Sequence, residues 1–188
     1  MERLQNKTNV CLSGAADGAD IEWGKYATSI GHDVIHWSFP GHHSQAPENQ
    51  VIWLTDEQLM LGIEALNNAA KAIGKNPPTR PTVTRLLRRN YYQVVWSQSC
   101  YVVTVIRDNP GGTVWATTMF AQLHPGNENL FLFDQDKDGW LQFRDGTWVR
   151  IDAPPMPSSI WAGIGSRGLK PNGRDAIRRL MGGLGSES

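Results

Sequence analysis

Two cysteines in 188 residues, Cys11 and Cys100, are too few for a disulfide framework, and neither sits in a CxxC or Cys/His spacing. Both lie inside apolar runs that suit a small buried side chain, so they read as reduced core residues. Net charge is missing too. The 18 basic and 18 acidic residues cancel, which leaves no overall field to attract nucleic acid and restricts any attraction to a local patch. Arg80, Arg85, Arg88 and Arg89 form one basic cluster and Arg174, Arg178 and Arg179 another, each read first as a solvated helix face. No apolar run approaches the roughly 20 residues needed to cross a bilayer, and no signal-peptide stretch stands at the start. A cytoplasmic protein with no membrane partner is expected. The chain has no internal repeat and no low-complexity tract.

What is present is enough for one compact domain over residues 1–188, since 40% of the residues are hydrophobic. Three loops of small residues stand out: VCLSGAADGAD (Val10 to Asp20), NPGGT (Asn109 to Thr113) and IWAGIGSRG (Ile160 to Gly168). Each follows an apolar run and precedes a segment of helical period. Such a strand-to-helix junction leaves unpaired backbone N–H groups at the carboxyl edge of a parallel sheet, where an anion can sit. Three in one chain point to a nucleotide-sized ligand bearing phosphate.

Within the first loop (Ser13, Gly14, Ala15, Gly18), the glycines permit close approach to a phosphate and Asp20 is expected to cap the following helix. Gly111, Gly112 and Thr113 form a second cradle, with the Thr113 hydroxyl available to a phosphate oxygen or to the helix start. Gly165, Ser166 and Arg167 end the third strand, where a hydroxyl and a guanidinium suit a phosphate or a ribose. Taken singly, each loop also reads as an ordinary tight turn.

Apolar β-rich runs alternate with helical ones, which predicts a layered α/β fold with a mostly parallel sheet. Strands are predicted at Asn9 to Ser13, Asp33 to Trp37, Tyr101 to Ile106, Asn129 to Phe133 and IWAGI near the end. Helices are predicted after Asp20, closed by Gly31; from the Thr55/Gln58 capping box to Gly74; over Thr82 to Ser97; after the GGT loop; and over DAIRRLM. SFPGHHSQAPENQ reads as a loop. WLQFR and TWVRI, joined by Asp145-Gly146, read as a β-hairpin.

SGAADGAD resembles the SGGAxGAD loop of the Rossmann-like superfamily that contains Lonely Guy, Smf and the DNA-processing protein DprA, known as SLOG. LLRRNYYQVVWSQSCYVVTVI followed by GGT is similar to the Arg-Asn helix, strand and GGT loop of its bacterial and phage members, and NLFLFDQDKDGW to the strand and Asp-Gln turn that end many of these domains. In the family the GxGSR strand comes first; here GIGSR lies near the end. The resemblance therefore implies a circularly permuted Rossmann-like three-layer fold, with the site preserved at the carboxyl edge. It also implies Arg89 and Asn90 as ligand contacts, a nucleotide-derived ligand, and subunit pairing as a homodimer.

Lonely Guy enzymes cleave the N-glycosidic bond of nucleoside monophosphates with the glutamate of PGGxGTxxE, whereas this chain has PGGTVWATT and no carboxylate there. Phosphoribohydrolase activity would need a substitute such as Asp17, Asp20 or Asp108, and no catalytic residue is assigned. Binding by a sensor, sequestering protein or weak nucleotide-processing enzyme is the leading expectation. DprA-like single-stranded DNA binding is the alternative, and a domain with an empty site that binds partners is a third. No cofactor is expected. Asp134 to Asp145 matches a calcium loop at Asp134, Asp136, Asp138 and Gly139, yet strand-like flanks favour a turn and hairpin. His32, His36, His42 and His43 lack zinc-ligand spacing; His42 and His43 are expected at the mouth of the cleft, with Trp37 and Trp115 available to stack on a base.

Overall fold

The computed structural model describes Leu4, residues 7–106 and residues 111–182. In chain order the elements are β1 (Val10–Ser13), α1 (Ala19–Ser29), β2 (Asp33–Ser38), a 3-10 turn (Glu48–Gln50), β3 (Val51–Trp53), α2 (Asp56–Met60), α3 (Ile63–Ala72), α4 (Pro81–Val94) and β4 (Ser99–Thr104). There follow α5 (Gly112–Leu123), β5 (Leu130–Asp134), β6 (Gly139–Arg144), β7 (Thr147–Ile151), β8 (Ile160–Gly165) and α6 (Pro171–Leu180).

The eight strands form one sheet in the order β3-β2-β1-β8-β4-β5-β6-β7. Every pairing from β3 to β5 is parallel, and β6 and β7 add an antiparallel hairpin at one edge. The hairpin turns at Asp145 and Gly146, both with positive φ, as the Asp-Gly pair predicts. β8, last in the chain, lies in the middle between β1 and β4.

Alternation along β4 divides the core. Tyr101 and Val103 point to a layer made by α1 and α6 with Trp23, Trp161 and Ile177, while Cys100 and Val102 face α3, α4 and α5 with Leu66, Leu87 and Phe120. The chain is thus a three-layer Rossmann-like α/β fold. The helix leaving β8 (α6) and the helix leaving β4 (α5) lie on opposite faces, which opens a crevice between the carboxyl ends of these two neighbouring strands.

Three local expectations are corrected. Asp20 is not the cap of α1: Gly18 is, without a side-chain hydrogen bond, and Asp20 sits buried in the first turn. The helix predicted to run unbroken to Gly74 is two helices, parted by a turn at Leu61 and Gly62, where a Cβ on Gly62 would lie 2.5 Å from the Arg88 carbonyl oxygen. The capping box that opens α2 is present in full. β3, only three residues long, carries too short a pattern to be read from sequence. Gly31 takes the left-handed conformation just past α1 that its position predicts.

Candidate ligand-binding cleft

The crevice between β4 and β8 is a cleft of about 840 Å³. All three small-residue loops reach it: Ala16 and Asp20 from the first, Gly111, Gly112 and Thr113 from the second, and Gly165, Ser166 and Arg167 from the third. Asp108, Asn109 and Pro110 lie outside the described residues. One wall is the face of α4 that carries Leu86, Leu87, Arg89, Asn90 and Gln93.

The centre of the cleft is a buried ion pair. Arg89, 4% exposed, places Nη1 3.4 Å from Asp20 Oδ2. Asp20 Oδ1 accepts from the Gly165 N–H at 3.1 Å, and the Ala16 N–H also donates to this carboxylate. Burial pushes the Asp20 carboxyl up from its ordinary value, against the pull of Arg89 and the two N–H groups. Arg89 Nε has no partner. That atom is sealed from solvent, but the residue lines the cleft with Nη1 alone engaged among the described residues, and a guanidinium so placed is a half-satisfied anion receptor.

Arg167 adds a second cation. It is exposed, lines the cleft and makes no ion pair among the described residues. Lys170, also at the rim, is held by Asp136. α5 opens on Gly111 with no side-chain cap, a Cβ at Gly111 would meet none of the described residues, and Gly111, Gly112 and Thr113 of its first turn line the cleft. The Asn90 Nδ2 amide ties α4 to this turn by donating to the Gly112 carbonyl at 3.4 Å.

The first loop has a different part from the one its glycines predict. Three of its N–H groups are engaged inside the protein: Ala15 donates to His36 Nδ1 at 3.2 Å, Ala16 to Asp20, and Ala19 to the Ser166 carbonyl at 3.1 Å. Ser13 is fully buried and its hydroxyl donates to the Gly163 carbonyl at 2.6 Å. Gly14 is covered by the Arg89 guanidinium, and Gly18, with φ 93°, backs onto the Ser166 and Arg167 backbone. Ser13, Gly14, Ala15 and Gly18 therefore do not line the cleft; they form the bracket that seats Arg89 and the third loop.

His42 and His43 do not line it either. His42 Nδ1 lies 2.8 Å from the Ser38 hydroxyl, and burial together with Arg89 and Arg167 lowers its pKa to about 4. His43 Nδ1 stands 3.7 Å from Asp17. Trp37 packs against Tyr92 and Trp96, and Trp115 lies in the core beneath α5, so neither is free to stack on a ring. The Asp134 to Asp145 segment is the β5–β6 turn and the β6–β7 hairpin, flanked by strands as expected. Within it Asp136 holds Lys170 and the Asp138 carboxylate accepts from Asn172 Nδ2 at 3.0 Å. Among the described residues no three His, Cys, Asp or Glu side chains converge as metal ligands.

Sequence reasoning missed Gln135 and Gln93. Gln135 accepts from the Lys170 N–H at 2.7 Å and donates to the Gly168 carbonyl at 3.1 Å, bracing the third loop. Gln93, 2% exposed, lines the cleft one turn beyond Arg89. The i, i+4 spacing from Arg89 was the available signal for it. No protein-family model, curated protein or solved structure matches the chain.

Proposed function

We propose that this protein binds a small phosphorylated molecule of nucleotide size at the crevice between β4 and β8. The observation that carries the reading is Arg89, buried, lining the cleft, and held by Asp20 through Nη1 alone among the described residues. The cost of burying a guanidinium makes an idle donor unfavourable unless something completes it, and a phosphate oxygen matches its geometry. Arg167 and the uncapped start of α5 supply further positive potential within the same cleft.

The central position of β8 is consistent with a permuted SLOG-type domain. Counted from β8, the strands β8, β1, β2, β4 and β5 take the doubly wound arrangement 3-2-1-4-5, with the cleft where the winding reverses. Binding without turnover is favoured over glycosidic hydrolysis. Asp20 is the one carboxylate among the described lining residues, and Gly165, Ala16 and Arg89 already occupy it. Calorimetric titration with orthophosphate, ribose 5-phosphate and the nucleoside 5′-monophosphates tests the reading. Saturable binding of the sugar phosphate without release of free base supports it, and no binding of any of them rejects it.

A further inference from the structure

We infer that Gln93 selects among ligands, by hydrogen bonding an uncharged ring edge that offers a donor beside an acceptor. The inference rests on the reading of the cleft as a phosphate-compound site.

Gln93 is 98% removed from solvent by the protein, since it is 2% exposed, yet it lines the cleft. Its carboxamide makes no hydrogen bond among the described residues. Neither amide atom is among the fully buried unpartnered ones, so the small part of the residue that solvent reaches includes the carboxamide. A deep amide without a protein partner, reached by solvent and lining the cleft, is available to hydrogen bond what enters it.

Its depth separates it from the phosphate. α4 ends at the amino edge of the sheet, where the Gln98 N–H donates to the Ile160 carbonyl at the start of β8. Asn90, by contrast, contacts Gly112 at the carboxyl edge. With a rise of about 1.5 Å per residue, Gln93 lies roughly 4.5 Å further in than Asn90 and the first turn of α5. A ligand anchored by phosphate at the rim thus reaches Gln93 with its other end.

The chemistry of the amide favours a ring over a second anion. A phosphate presents acceptors and would leave the Gln93 Oε1 unpaired, whereas a nucleobase edge presents a donor next to an acceptor and satisfies both amide atoms. The surrounding Leu86, Leu87, Ala116 and Ile164 give such a ring apolar walls.

Titrating wild type and Gln93→Met with the four ribonucleoside 5′-monophosphates and with ribose 5-phosphate tests this. The expected result is that wild type binds at least one nucleotide roughly 10- to 100-fold more tightly than ribose 5-phosphate, and that Gln93→Met loses this preference while its affinity for ribose 5-phosphate is unchanged. Equal affinity for all probes in wild type, or an equal loss for nucleotide and sugar phosphate in the variant, overturns the role of Gln93 and leaves the phosphate site standing. Failure of every probe to bind overturns both. If Gln93→Met does not fold, the wild-type ranking and the uncharged variant Gln93→Leu, which removes both amide atoms, decide the matter in the same way.

Discussion

The guanidinium of Arg89 rests on the bare Cα of Gly14, in the space that any side chain at position 14 would fill. The glycine is required for steric reasons, since its φ is not in the left-handed region. Substituting Gly14→Ala pushes Arg89 off Asp20, and overpacking of this kind costs ~1–3 kcal/mol. Gly111→Ala is the matched control, because a Cβ there meets none of the described residues, and it should change stability by no more than about 0.5 kcal/mol. Urea unfolding of the two variants checks the contrast; equal effects would show that Gly14 does not seat Arg89.

Asp20 holds three donors at once, from Gly165, Ala16 and Arg89. Asp20→Ala leaves a buried cation without its partner and is expected to lose ~3–5 kcal/mol of stability. Asp20→Asn keeps an acceptor and is expected to lose less. Chemical denaturation near neutral pH orders the two, and the opposite order would mean that the carboxylate is not the hub of the cleft.

Much of the fold was legible because the local signals agreed with one another. Asp145-Gly146 gave the hairpin, the Thr55/Gln58 box opened α2 and Gly31 closed α1, each through chemistry confined to a few residues. The cleft was legible only as a set of loops. Gly14 and Gly18 announce a close approach but not what approaches, and here it is a side chain from α4 and a backbone from the third loop. Arg89 sits beside Arg85 and Arg88, which are only half-buried, and its burial depends on contacts 69 residues away in sequence. Gln93 offered only its i, i+4 spacing from Arg89, which is too little, because an amide on a helix is recognised as functional only when its partners are seen to be missing.

Acid should weaken the protein through His36. Burial, aided by Arg89, lowers its pKa from 6.5 to about 4, and its Nδ1 accepts from the Ala15 N–H. Between these values the unfolded chain takes up a proton that the folded one refuses, so stability is lost as pH falls through this window. The loss attributable to His36 is roughly 3 kcal/mol when complete. Urea midpoints measured from pH 7 to pH 4 should fall, and His36→Asn, which keeps an acceptor for Ala15, should flatten the slope. An unchanged slope in that variant contradicts the assignment.

Arg167 separates binding from stability. It is exposed and has no ion-pair partner among the described residues, so Arg167→Ala should alter stability by no more than about 0.5 kcal/mol. Affinity for ribose 5-phosphate should fall roughly 10-fold, as expected for loss of one charge-assisted hydrogen bond. Calorimetry paired with thermal unfolding reads both quantities. Undiminished affinity would place the phosphate elsewhere.

The most direct measurement is a 1H–15N NMR titration with ribose 5-phosphate, following the backbone amides and the Arg89 Nε–H. Occupation of the crevice between β4 and β8 predicts saturable shifts at Gly111 to Thr113, at Ser166 to Gly168 and at Arg89 Nε. Saturation with those signals unmoved, or with the shifts gathered at another surface, would contradict it.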